Sequence, residues 1–137
     1  MLKNMRGCDN MILNLDFNSD KPIYIQIREE VIKSIANGEL EIYESLPSVR
    51  SLADEIGINL HTVSKAYNLL KDEGYISIDR RKGAVINNLP IDKNTNNFNQ
   101  IKDQIELLVA ESYLKGIDKS EFIDLCENYF EKYGVKK

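Results

Sequence analysis

Histidine is nearly absent from this chain of 137 residues, His61 being the only one. A histidine-carboxylate metal cluster is therefore unavailable, and a histidine-based catalytic triad would rest on that single side chain. Cysteine is almost as scarce. Cys8 and Cys126 lie far apart with no Cys-x-x-Cys pair, so neither a disulfide framework nor a zinc site is suggested. No apolar run reaches the length of a membrane span. The first residues, Met1-Leu2-Lys3-Asn4-Met5-Arg6-Gly7, lack the long apolar segment of a secretory signal, so a cytoplasmic protein with no membrane partner is expected. No phosphate-binding glycine loop and no nucleophile-base pairing appear. The expectation is no enzyme, with no catalytic residue, metal ligand or cofactor.

What the chain does contain is Leu46-Pro47-Ser48-Val49-Arg50-Ser51-Leu52-Ala53, followed by Gly57-Ile58-Asn59-Leu60-His61-Thr62-Val63-Ser64-Lys65-Ala66-Tyr67 and then Gly74-Tyr75-Ile76. Ser48 is suited to cap a helix whose inner face is Val49, Leu52, Ala53 and Ile56, and Gly57 supplies the left-handed residue that ends it. Asn59 is suited to cap a second helix. There Val63, Ala66, Tyr67 and Leu70 recur at helical spacing and form a buried face, while His61, Lys65 and Asn68 look outward. Helix, glycine turn and polar, basic second helix make a helix-turn-helix, the design that places its second helix in the DNA major groove.

The motifs from Lys21-Pro22-Ile23-Tyr24-Ile25-Gln26-Ile27 through Gly38-Glu39-Leu40, Leu46-Pro47-Ser48-Val49-Arg50 and Thr62-Val63-Ser64-Lys65-Ala66-Tyr67 to Gly74-Tyr75-Ile76 resemble the winged-helix domain of the GntR family of bacterial transcription regulators. The likeness spans residues 12–87. Tyr75-Ile76-Ser77-Ile78 and Ala84-Val85-Ile86 around Asp79-Arg80-Arg81-Lys82-Gly83 read as the wing hairpin. Two departures stand out. Tyr43 occupies a turn where the family usually has glycine, and Arg81-Lys82-Gly83 replaces the usual Gly-x-Gly of the wing. The second departure predicts a more open wing loop with weakened base-specific contact in the minor groove.

Relatives in that family begin close to Met11, so residues 1–11 are expected to form a disordered N-terminal extension, with Met1 and Met11 as alternative starts. Residues 12–88 form the winged helix-turn-helix, and the polar, breaker-rich residues 89–97 a linker. Residues 98–137 hold two amphipathic helices. The first repeats Phe98, Ile101, Ile105, Leu108 and Ser112. The second opens with Asp118 and Glu121 spaced as a capping box and carries Phe122, Cys126, Tyr129, Phe130 and Tyr133. Two such helices cannot enclose a core alone, so they must pack on another copy or on the winged helix. The fold class expected is mainly α with a small β-hairpin: an N-terminal winged helix-turn-helix followed by a two-helix C-terminal dimerisation tail. So short a tail resembles the YtrA subfamily, a likeness that implies dimerisation through Phe98, Ile101, Ile105, Leu108, Phe122, Cys126, Tyr129 and Phe130, and control of an ABC transporter operon. The tail aromatics also leave room for an unidentified small-molecule effector, although helical spacing favours interface core.

The net charge of −4 at pH 7 argues against nucleic acid as a partner. Its distribution argues for one. Arg50, Lys65, Arg80, Arg81 and Lys82 fall on the elements expected to face DNA, while Glu29, Glu30, Glu39, Glu41 and Glu44 lie on the first helix and the loop after it. Phosphates sense the field within about 10 Å, not the total. The resemblance implies contacts from Ser48 and Arg50, from Asn59, Leu60, His61, Thr62, Ser64 and Lys65 at the recognition helix, and from Arg80, Arg81, Lys82 and Gly83 in the wing. Arginine suits guanine or phosphate bidentately, although a pairing of Arg50 with Asp54 stays open. Leu60 is left between a thymine methyl and simple packing. The function expected is a homodimeric regulator, a repressor, on a double-stranded inverted-repeat operator. The alternative is a winged helix reused as a protein-interaction module without specific DNA binding.

Overall fold

The computed structural model describes residues 2–8, 11–91 and 94–134. These divide into two compact units, residues 1–91 and 92–137. The first unit opens with an antiparallel hairpin of β1 (Leu2–Cys8) and β2 (Met11–Asp16), in which Leu2 faces Asp16 and Met5 faces Leu13. Residues 2–8 were expected outside the fold. They form a strand instead, and the reason lies in β2, whose alternation buries Leu13 and Leu15 and whose edge presents backbone groups that need partners.

Pro22 precedes α1 (Ile23–Ala36) with φ of −55°, already near helical, and its carbonyl accepts the first helical hydrogen bonds from Ile25 and Gln26. Gln26 is buried and fastens the entry to this helix. Its Oε1 accepts from the Asp16 N–H at 2.8 Å, and its Nε2 donates to the carbonyls of Asp16 at 3.0 Å and Lys21 at 2.8 Å. Next come α2 (Val49–Ile56) and α3 (Leu60–Asp72). The expected caps are in place: Ser48 Oγ accepts from Ser51 N–H at 3.0 Å, and Asn59 Oδ1 from His61 N–H at 2.7 Å. Gly57, at φ +79°, ends α2 in the left-handed conformation that a Cβ would disfavour. Leu52, Ala53 and Ile56 of α2 and Val63, Ala66, Tyr67 and Leu70 of α3 are buried together with Ile27 and Val31 of α1.

The wing is an antiparallel pair of β3 (Ile76–Asp79) and β4 (Gly83–Ile86), Ile76 facing Ile86 and Asp79 facing Gly83. The segment before α2 joins it as a third, irregular strand. Tyr43 N–H donates to Ile86 O at 2.8 Å, Ile86 N–H to Glu44 O at 2.9 Å and Leu46 N–H to Ala84 O at 2.8 Å, with Ser45 bridging Val85. Tyr43, at φ +69°, is the one non-glycine residue with positive φ in the described chain.

The second unit consists of α4 (Thr95–Leu114) and α5 (Lys119–Gly134). Helix α4 starts three residues before its expected start at Phe98. The Asn94 side chain accepts from Asn97 N–H at 2.9 Å, so the asparagine run that read as a breaker contains a helix cap. At α5 the capping box is formed reciprocally: Glu121 N–H donates to Asp118 Oδ1 at 2.9 Å and Asp118 N–H to Glu121 Oε1 at 3.2 Å. Ser112 is buried, and Phe122, Cys126 and Tyr133 are half-buried. Phe98, Ile101, Ile105, Leu107, Leu108, Val109, Tyr113, Leu114, Ile123, Leu125, Tyr129 and Phe130 stay exposed, Leu114 at 82% and Phe130 at 76%. No helix among the described residues is long and apolar enough to cross a membrane.

Candidate nucleic-acid interface

Three elements carry the residues singled out in the first unit, and two hydrogen bonds draw them to one place. Leu46 N–H on the Ala84 carbonyl ties the start of α2 to the wing strand. The Tyr67 hydroxyl, reaching from α3, donates to the Pro47 carbonyl at 2.7 Å. The helix-turn-helix and the root of the wing therefore meet at Leu46-Pro47, immediately before Ser48 and Arg50.

Arg50 is exposed on the first turn of α2, and no ion pair with Asp54 or any other carboxylate forms among the described residues. On α3, Leu60 and His61 are exposed at the first turn, Thr62 and Ser64 are half-buried, and Lys65 is exposed one turn further on. The Lys65 ammonium rests 4.2 Å from the centroid of the Tyr24 ring of α1. In the sequence Tyr24 stands only as part of the Lys21-to-Ile27 motif, and nothing local announces its closeness to a residue 41 positions later. Ser48 and Asn59 are exposed, and their oxygens already serve as caps, so both hold the two helices at their starting turns.

Arg80, Arg81, Lys82 and Gly83 are all exposed at the wing tip. The open loop expected there is not what forms. Asp79 Oδ1 accepts from Arg81 N–H at 2.7 Å and Lys82 N–H at 3.0 Å, and Gly83 alone of the four takes positive φ, at +76°. A three-residue loop closed by a left-handed glycine needs no second glycine, so Arg81 escapes strain. The backbone N–H groups of Lys82 and Arg81 hold the Asp79 carboxyl below the ordinary carboxylate range, helped by the nearby Lys82 charge.

Three other cations of the unit are occupied, while Lys71, exposed near the end of α3, has no ion pair among the described residues. Arg28 makes a two-pronged contact with Glu73 at 2.6 and 2.9 Å, fastening α1 to the end of α3, while Lys21 pairs with Glu29 at 2.9 Å and Lys33 with Glu30 at 3.5 Å. No comparable pair involves Arg50, Lys65, Arg80, Arg81 or Lys82 among the described residues. The charges of these five side chains are therefore not cancelled by an ion pair. No group of three or more potential metal-binding side chains gathers among the described residues.

A profile described as "Bacterial regulatory proteins, gntR family" matches residues 23–86, from the start of α1 to the end of β4. The HTH-type transcriptional repressor YtrA of Bacillus subtilis is 33% identical over 108 residues, covering 78% of this chain and 83% of that protein. The chain belongs to the GntR family. Two solved structures extend the likeness of this GntR regulator. YtrA from Sulfolobus acidocaldarius, a GntR-family transcription factor, is 36% identical with a TM-score of 0.57, over 70% of this chain and 97% of that one. A protein described as a transcriptional antiterminator from Listeria monocytogenes EGD-e is 25% identical with a TM-score of 0.82, over 91% of this chain and 94% of that one. The molecule is thus a YtrA-like, DNA-binding transcriptional regulator of the GntR family, with a winged helix followed by C-terminal helices, and its relatives are regulators, not enzymes.

Proposed function

We propose that this regulator acts as a homodimeric repressor on an inverted-repeat operator, presenting one α3 to the major groove of each half-site. The observation that carries the reading is the contrast among cations described in the first unit: Lys21, Arg28 and Lys33 on or before α1 are paired with carboxylates, whereas Arg50 and Lys65 on the helix-turn-helix and Arg80, Arg81 and Lys82 at the wing tip are not. In this reading Arg50 and Lys65 engage phosphate or guanine, and Thr62, Ser64 and His61 add hydrogen bonds at the start of α3. Arg80, Arg81 and Lys82 reach the backbone or minor groove beside Gly83. Ser48 and Asn59 place these groups through the caps they make, and Leu60 offers a methyl-sized contact.

The second unit supports the dimer. Ile101, Ile105 and Leu108 of α4 and Tyr129 and Phe130 of α5 are exposed, and apolar area on this scale is normally buried by a partner. Phe98, Phe122 and Cys126 extend the same apolar sides. Repression is taken from the B. subtilis relative, which is named a repressor. A cytoplasmic location, an ABC transporter operon as target and a small-molecule effector are what the subfamily likeness implies.

Footprinting on the DNA upstream of the protein's own gene tests the reading. The expected result is protection of two inverted halves about one helical turn apart. Arg50→Ala weakens that protection while leaving the melting temperature within about a degree, since Arg50 is exposed and makes no ion pair among the described residues. Failure of the parent protein to bind any duplex at low salt would leave the protein-interaction reading, which the net charge of −4 favours.

A further inference from the structure

We propose that Tyr24 is a positioning residue for DNA, its ring serving as the seat that aims the Lys65 ammonium at a backbone phosphate. The inference rests on the DNA-binding reading above and assigns a role to a residue that reading leaves out. A lysine on an exposed helix face carries large rotamer freedom, which must be lost when the ammonium meets a phosphate. Here much of that loss is taken before DNA arrives. Lys65 Nζ lies 4.2 Å from the Tyr24 centroid, and Tyr24 is half-buried against the core, so the ring is a fixed platform.

The choice of partner matters as much as the distance. Lys21, Lys33 and Arg28 are held by carboxylates, which fix them and cancel their charge together. An aromatic face orients a cation without neutralising it. Its N–H groups turned away from the ring stay able to donate, so Lys65 is directed and still fully charged. Tyr24 stands in the first turn of α1, so its ring is held at the anchored start of that helix.

The test uses the full-length protein and a fluorescein-labelled random-sequence duplex of about 30 base pairs, because a phosphate contact is independent of sequence. Four variants are compared with the parent by anisotropy across a salt series: Tyr24→Phe, Tyr24→Leu, Lys65→Gln, and the last two combined. Lys65→Gln lowers the slope of log affinity against log salt by about 0.9 per protomer. Tyr24→Leu weakens binding about three-fold per protomer, whereas Tyr24→Phe, which keeps the ring, stays within about two-fold of the parent. The double variant binds no more weakly than Lys65→Gln, since the seat has nothing left to aim. Tyr24→Met replaces Tyr24→Leu if the latter does not fold. The Lys65 ε-methylene protons, shifted upfield by the ring in the parent and in Tyr24→Phe, return to ordinary values without it.

Additive losses in the double variant, or Tyr24→Phe as weak as Tyr24→Leu, would overturn the seat and leave the tyrosine hydroxyl as an independent contact. A neutral Lys65→Gln in a protein where Arg50→Ala still weakens binding would also overturn it, with the DNA reading intact. A parent that binds no duplex removes both.

Discussion

Tyr43 is the position where local preference and fold are most opposed. An L-residue at φ +69° incurs about 1–2 kcal/mol of steric cost, and this tyrosine is 64% exposed, so little burial offsets it. Its N–H bond to Ile86 O holds the strand before α2 against the wing, so the surrounding pairing enforces the conformation. Tyr43→Gly should therefore stabilise the first unit by about 0.5–1 kcal/mol, the relief of strain being partly cancelled by the greater freedom of glycine in the unfolded chain. Chemical denaturation reads this directly. An unchanged midpoint would mean that the tyrosine ring contributes packing equal to the strain. Gln26 shows the reverse case, in which local need and tertiary need coincide, since one amide satisfies backbone groups of Asp16 and Lys21 together.

The wing hairpin turns on one carboxylate. Because hydrogen bonds from Lys82 and Arg81 lower the folded-state value of Asp79, its contribution is present above the ordinary carboxylate range and is lost as pH falls through the lowered value. Protection of the Arg81 and Lys82 amides, taken relative to the intrinsic exchange rate at each pH, should fall across that window and in Asp79→Ala, while Asp79→Asn, whose amide oxygen accepts the same bonds, stays close to the parent. Equal exchange in parent and Asp79→Ala would show that Gly83 alone shapes the loop. This turn also marks what can be read without coordinates. The helices of the first unit were legible because period and punctuation agreed: Val63, Ala66, Tyr67 and Leu70 repeat correctly between Asn59 and Gly74, and all four are buried. The wing was legible as a hairpin, yet a missing glycine said nothing about an aspartate two positions earlier that closes the loop from its side chain. Asn94 misled for a related reason, because asparagine signals both a break and a beginning, and only the backbone that follows decides which. The β1 pairing and the seat of Lys65 on Tyr24 are contacts between segments, for which no period exists.

Between the two units the chemistry divides sharply. The first has a core of its own, running from Leu13 to Ile86, whereas α4 from Leu107 to Leu114 is apolar except for Glu111 and Ser112, and all of it but Ser112 is exposed, Tyr113 at 80%. An exposed apolar stretch of this size is normally covered by a partner. Ending the chain after Ile91 keeps the isoleucine that packs 3.6 Å from where a Cβ on Gly74 would stand, so the first unit should fold alone. It should sediment as a monomer at micromolar concentration, with operator affinity reduced about 10²- to 10⁴-fold as two half-sites cease to act together. A truncated chain that remains a dimer would move the interface into the first unit. The ties at Leu46-Pro47 have a further consequence for such a dimer. With α2, α3 and the wing root joined there, each reading head is a single die, unable to change its imprint piece by piece. In the dimer proposed above, the remaining freedom would be the distance and phase between two dies: each base pair inserted between half-sites turns one against the other by about 35°. For such a dimer, the spacing of the words would count as well as their letters.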